Sequence, residues 1–249
     1  MITLTELAPG PAGSPLLLVG PSLGTAVASL WADAAAALGA HVRVVGWDLP
    51  GHGASSPASG FGLDDLAAEL VTRVDEPFHY AGVSVAGAVG LHLGLLGSDL
   101  VRSVAVVCSG AKLGTSESWH ERAALVRASG TAALVEGSRS RWFSDATRAG
   151  RSDLVEALLA ELAEVDDAGY AAVCEALAAH DVRARLGEVT VPVLALGGAD
   201  DTVCPPAMLA EVASGVASGR HVSLTDVAHL APAEAPAATV AALREHLGA

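Results

Sequence analysis

Residues 78–87, FHYAGVSVAG, carry a short apolar run into Gly82-Val83-Ser84-Val85-Ala86-Gly87. Small residues two before and two after a serine are what a sharp strand-to-helix turn requires, because a larger side chain there collides with the backbone crossing it. Such a turn holds the Ser84 hydroxyl out at a sheet edge, as a nucleophile elbow does, with a buried strand before it and a helix after it. Ala86 stands where a GxSxG string has its second glycine, and it is small enough to fit. Short Gly/Ser/Ala strings also form ordinary strand-to-helix loops in an alanine-rich chain, so the rest of the sequence has to decide.

The flanking sequence repeats the strand-then-helix pattern. Residues 2–7 alternate weakly and read as a first edge strand, followed by a Pro/Gly turn over 9–15. A buried strand over 16–19 leads through Gly20-Pro21-Ser22-Leu23-Gly24-Thr25 into a helix over 26–38. A strand over 41–47, a tight turn over 48–55 and a helix over 63–74 come next, and then the elbow strand with its helix over 85–96. Residues 101–108 are β-branched without alternation, as expected of a parallel strand covered on both faces. The reading is an α/β fold: a mostly parallel sheet, helices on both faces, right-handed crossovers.

That alternation stops near Ser109 and resumes at Val191. Helical segments over 119–129, 132–140, 153–165 and 168–179 fill the gap, which makes 111–185 a helical cap insertion into a core formed by 1–110 and 186–249. The insertion lies over the C-terminal edge of the sheet, where open α/β sheets bind ligands. A strand over 191–197, a helix over 207–217, a strand over 221–224 and a helix over 236–247 complete the chain.

Half of the 249 residues are apolar, enough for one large domain. The formal charge of −14 argues against nucleic acid or an anionic membrane as partner, since both need clustered Lys and Arg. Cys108, Cys174 and Cys204 are odd in number and widely spaced, which suits reduced packing thiols rather than a disulfide frame or a zinc site. With no basic leader and no apolar stretch of ~18 residues, the expectation is a soluble cytoplasmic protein.

A serine is a poor nucleophile without a base, and the base needs a group that fixes its tautomer. Asp200 and Asp201 follow the 191–197 strand; His229 follows the 221–224 strand. The two acids compete for one role. Pro205 completes a GxxDxxxP register counted from Gly198, which selects Asp201 and leaves Asp200 as a turn residue. The order Ser84, Asp201, His229, each at a strand end, is that of an α/β-hydrolase. Backbone amides would hold the oxyanion: that of Val85 at the elbow helix N-terminus, and that of Ser22, with Leu23 next, from the loop after the 16–19 strand.

GVSVAG, GWDLPGHGASS and LGGADDTVCPP resemble the marks of α/β-hydrolases in general. Pro21 to Thr25 (PSLGT), Ala111 to Trp119 (AKLGTSESW), Arg141-Trp142-Phe143, Gly169-Tyr170 and His180 to Arg183 are similar more specifically to 3-oxoadipate enol-lactonases, hydrolases of the β-ketoadipate pathway of aromatic catabolism. The similarity runs from Leu16 onwards. Departures are Pro21 for an asparagine, Pro50 for an arginine, Val85 and Ala86 for the usual Met or Ile and Gly, and a short N-terminus that implies one edge strand fewer. The resemblance implies a cofactor-independent, metal-free lactonase acting through an acyl-enzyme on a small-molecule substrate with a free carboxylate. Arg141 and Lys112 are candidate partners for that carboxylate, with Leu23, Trp119 and Trp142 as further substrate contacts. Arg141 reads equally as a solvated helix charge, and the two tryptophans as packing between insertion and sheet. The alternatives are a broader esterase or lactonase on neutral substrates and a catalytically silent binding protein of the same fold.

Overall fold

A computed structural model describes residues 2–248. Seven strands, β1 (Thr3–Ala8), β2 (Leu16–Gly20), β3 (Arg43–Asp48), β4 (Phe78–Val83), β5 (Val101–Val107), β6 (Val193–Gly198) and β7 (Gly219–Leu224), form one sheet in the order β1-β3-β2-β4-β5-β6-β7. Edge strand β1 runs antiparallel to β3, and all other pairings are parallel. Every residue of β2 and β6 is buried, which is why their sequences are continuous apolar runs rather than alternating ones.

The helices are α1 (Val27–Leu30), α2 (Ala32–Leu38), α3 (Leu63–Arg73), α4 (Val85–Leu96), α5 (Ser116–Ser129), α6 (Val135–Trp142), α7 (Asp145–Gly150), α8 (Ser152–Glu164), α9 (Asp167–Ala178), α10 (Pro206–Gly215), α11 (Ala231–Glu234) and α12 (Pro236–Leu247). None of them is long and apolar enough to cross a membrane. α3 packs with α4, and α2 packs with α11 and α12. The one helix expected over 26–38 is two. Trp31 breaks it at φ −101°, ψ 1°, and turns its buried indole to donate to the Gly20 carbonyl at 2.9 Å. The segment 132–140 is likewise a 3-10 turn, Thr131–Leu134, followed by α6; α7 and α11 are short helices that periodicity does not reveal.

α5 to α9 all lie between β5 and β6, with α5 packed along α9. The two ends of this insertion meet in an antiparallel bridge between Lys112 and Asp181, and Val182 donates to the Ala111 carbonyl at 2.9 Å. Beside the bridge, His180 accepts or donates a ring hydrogen bond with His92 of α4 at 3.2 Å and approaches the Gly110 carbonyl at 3.4 Å.

The strand-to-helix turn at Ser84 rests on two close approaches. A Cβ at Gly82 would fall on the Ala86 carbonyl, so the turn closes only with glycine there. Ala86, in the second glycine position, has its own accommodation: Gly20 of β2 faces it, and a Cβ on Gly20 would lie 2.6 Å from the Ala86 Cβ and 2.7 Å from Trp47 Nε1. The alanine methyl fills the space that Gly20 leaves. Tyr80 locks the same turn by donating its hydroxyl to the Ala86 carbonyl at 2.8 Å.

Two predictions arise. Gly20→Ala alone should destabilise the protein by about 1–3 kcal/mol, the usual range for overpacking, and should cost less in an Ala86→Gly background; chemical denaturation of the four-variant cycle measures the difference. Burial lowers the pKa of His52, His180 and His246 from the usual 6.5 to about 4. Between those values the unfolded chain binds more protons than the folded one, so stability rises with pH across the window and is lost as pH falls through it. The urea midpoint should therefore drop from pH 7 to pH 4, and His180→Gln should flatten part of that slope.

Candidate active site

Ser84 is the N-cap of α4 and sits at φ 56°, ψ −118°, outside the regions an L-residue readily adopts. Its amide donates to the Val107 carbonyl at 2.8 Å, and its carbonyl accepts from Ser109 Oγ at 2.6 Å, so the neighbouring strand end holds the turn from both sides. Among the described residues three non-glycine ones have positive φ: Ser84 after β4, Cys108 after β5 and Asp226 after β7. All three lie at the C-terminal edge of the sheet, where the insertion also leaves and rejoins it.

Asp201 and His229 come from the loops after β6 and β7. His229 Nδ1 donates to Asp201 Oδ2 at 2.8 Å, with both side chains almost wholly buried, His229 2% and Asp201 0% exposed. The other oxygen of Asp201 accepts from the amides of Val203 and Cys204 at 2.8 and 2.9 Å. Both oxygens of this carboxylate thus accept from donors on three different residues, which holds its rotamer, and with Nδ1 donating the His229 ring is left with Nε2 as its acceptor. Asp200 is exposed, and its amide donates to the Val227 carbonyl. The acid beside His229 is therefore the buried Asp201, while Asp200 lies on the exposed side of the same loop.

A cavity of about 190 Å³ opens beside Ser84 and is lined on its other sides by Trp119, Arg122, Arg141, Trp142, Val203 and Cys204. Ligand atoms of Asp201, Cys204 and His229 lie within 4.8 Å of one another, and of these three residues Cys204 lines the cavity beside Ser84. Those three groups form a donor set of the kind that binds metals. The Asp201 oxygens, however, are already engaged, and burial together with the Asp201 charge holds the Cys204 thiol well above its usual pKa, so that it stays protonated. Cys108 is raised by the same two causes and points its sulfur at the Ala228 carbonyl, 3.7 Å away. All three cysteines are free and buried.

Two sequence expectations need correction. The Ser22 amide donates to Thr25 Oγ1 at 3.1 Å, and that hydroxyl donates back to the Ser22 carbonyl. This closed local pair commits the Ser22 amide within its own loop, so the amide expected to receive the oxyanion is already engaged. Lys112 lies away from the cavity lining, at the neck of the insertion, paired with Asp181 at 3.5 Å. Arg141, Trp119 and Trp142 do line the cavity.

Sequence reading missed Arg122. Its guanidinium lies 5.3 Å over the Trp119 ring, as the i, i+3 spacing on α5 allows, and that spacing was the available signal. Burial, then the charge of Arg122, lowers the Arg141 pKa, which marks two cations facing one enclosed space. Among the described residues neither arginine has a carboxylate within ion-pair distance.

A sequence profile described as "Alpha/beta hydrolase family" matches residues 7–243. A 3-oxoadipate enol-lactonase of Acinetobacter baylyi is 32% identical over 243 residues, covering 94% of this chain and 89% of the relative. A second one from the same organism is 34% identical over 199 residues, covering 78% and 74%. Among solved structures, an enol-lactonase from Burkholderia xenovorans superposes with a TM-score of 0.94 at 28% identity, over 100% of this chain and 96% of that one. A hydrolase from Pseudomonas aeruginosa follows the same course with a TM-score of 0.91 at 31% identity, over 100% and 94%. With its sheet order, its Ser84 turn and these relatives, the chain belongs to the alpha/beta hydrolase family.

Proposed function

We propose that this protein is a serine lactonase that opens a small enol-lactone bearing a free carboxylate, as 3-oxoadipate enol-lactone does. The reading is carried by one observation: two arginines, Arg122 and Arg141, share a small cavity with Ser84 in a chain of formal charge −14, and neither is paired with an acid among the described residues. Cations held apart from the many available acids are what an anionic substrate group needs. The cavity's roughly 190 Å³ falls below the ~300–1,000 Å³ typical of drug-sized ligands, and so suits a single small ring. The enol-lactonase relatives support the same class of substrate.

In the proposed mechanism Ser84 Oγ attacks the lactone carbonyl while His229 Nε2 takes its proton. Asp201 keeps the ring oriented through Nδ1 and stabilises the imidazolium that forms. The oxyanion is received by the amides of Val85, at the first position of α4, and Leu23. Collapse of the intermediate breaks the ring C–O bond, and the enol oxygen leaves with the proton from His229. Enols are good leaving groups, so protonation need not run ahead of bond breaking. Water, deprotonated by His229, then attacks the acyl-enzyme and frees Ser84 and the new carboxylate. Arg122 and Arg141 hold the substrate's free carboxylate, with Trp119 and Trp142 as apolar walls.

Ser84→Ala should abolish turnover of both 3-oxoadipate enol-lactone and an aryl ester. Asp201→Asn should lower kcat by about 10³–10⁴-fold, as expected when a buried acid no longer fixes the histidine tautomer, whereas Asp200→Asn should stay within about twofold. Arg122→Gln and Arg141→Gln should each raise KM for the carboxylate-bearing lactone by about 10–100-fold, the range of one charged hydrogen bond, with a far smaller effect on a neutral aryl ester. Equal losses on both substrates would move the reading to a broader esterase.

A further inference from the structure

Glu234, at the end of α11, makes three hydrogen bonds with one side chain. Its Oε1 accepts from the Ala228 amide at 3.0 Å and from the Leu230 amide at 3.2 Å, the residues on either side of His229. Its Oε2 accepts from the Ser144 amide at 2.7 Å. The amide between the two, that of His229 itself, donates to the Trp142 carbonyl at 3.1 Å. Three successive amides of the loop after β7 are therefore all committed: two to one carboxylate and one to the C-terminal end of α6. Arg151 adds a further tie by donating to the Ala233 carbonyl at 2.5 Å.

This arrangement spans two parts of the molecule with different tasks. On one side is the loop that carries His229; on the other is the segment 142–144, whose Trp142 lines the cavity. A carboxylate is suited to the junction because it has only acceptors, enough of them for three N–H groups, and each such bond is charge-assisted. An amide in its place could keep the two bonds to one oxygen, but its NH2 would face the Ser144 N–H as donor against donor. A hydrophobic residue would leave three amides without acceptors.

We propose that Glu234 is a positioning residue for the reaction: its carboxylate sets the place of the His229 backbone and registers the cavity wall at Trp142 to it. The proposal rests on His229 being the general base. Substrate seated against Trp142 and the nitrogen that takes the Ser84 proton are then fixed relative to each other by one side chain, without Glu234 touching either.

The test compares the parent protein with Glu234→Gln, Glu234→Ala and His229→Ala, using p-nitrophenyl acetate as the probe substrate. Misplacing a catalytic group by about 1 Å costs on the order of 100-fold, and loss of an outer partner about 10–100-fold. Glu234→Ala should therefore lower kcat about 100-fold and Glu234→Gln about tenfold, with KM within about threefold of the parent in both. The downfield proton resonance of the His229 Nδ1–H, identified by its absence in His229→Ala, should shift or broaden in Glu234→Ala while far-UV circular dichroism stays that of the parent. A kcat for Glu234→Ala within twofold of the parent overturns the proposal, as does a loss that tracks the folded fraction while the resonance stays in place. Retained turnover in His229→Ala would remove the general-base reading itself. An inactive His229→Ala beside an unimpaired Glu234→Ala removes only the role of Glu234.

Discussion

A serine held at φ 56° occupies a backbone state that costs about 1–3 kcal/mol, and it persists only where the surroundings over-determine it. Here the determination is of three kinds. Gly82 allows the chain to pass the Ala86 carbonyl; Tyr80 and Ser109 each donate a hydrogen bond to a carbonyl of the turn; and β5 accepts the Ser84 amide. The helix that follows starts with its unpaired amides at the sheet edge, where partial positive charge gathers. A displaced turn would move the nucleophile and the Val85 amide together, so one backbone constraint governs both.

The second organising force is the sorting of charge. Most of the chain's acids are on the surface, and the arginines of the insertion are largely paired with them: Arg127 with Glu175, Arg139 with Glu156, Arg183 with Asp181. Such exposed pairs contribute little to stability. Their interest lies in the contrast with Arg122 and Arg141, which face the cavity instead. Asp201 shows the opposite treatment, a buried acid with each oxygen engaged by a donor, and its negative charge helps keep the Cys108 and Cys204 thiols protonated and inert.

Two of the insertion's ties to the core are well separated along the chain. One is the neck, where Lys112 and Asp181 bridge and His180 meets His92. The other is the clasp of Glu234, Trp142 and Ser144 around the His229 loop. Between these ties lies the cavity, so its walls come partly from the insertion and partly from the sheet edge. α8 adds a further tie, since Glu161 accepts from the Ala26 amide and from Ser29 Oγ in the first helix.

The order of the strands along the chain, most of the helices and the small-residue turn at Ser84 were legible in the sequence, because each follows from short-range rules of periodicity and of small residues at a tight turn; the proline register that pointed to Asp201 over Asp200 is a signal of the same short range. The break at Trp31 was not legible, because it answers to the Gly20 carbonyl at the end of β2, eleven residues back along the chain. The commitment of the Ser22 amide to Thr25 was hidden for a different reason: the two are close in sequence, but a side chain chose between several nearby amides. Glu234 carried no motif that separated it from other charges on helices, and Arg122 only its i, i+3 spacing from Trp119. Residue type and spacing determine which chemistry a chain can present. Which arginine lacks an acid, and which glutamate gathers amides from two distant segments, is decided only by what the fold brings within 3 Å, since hydrogen bonds and ion pairs fall off over distances that sequence separation does not measure.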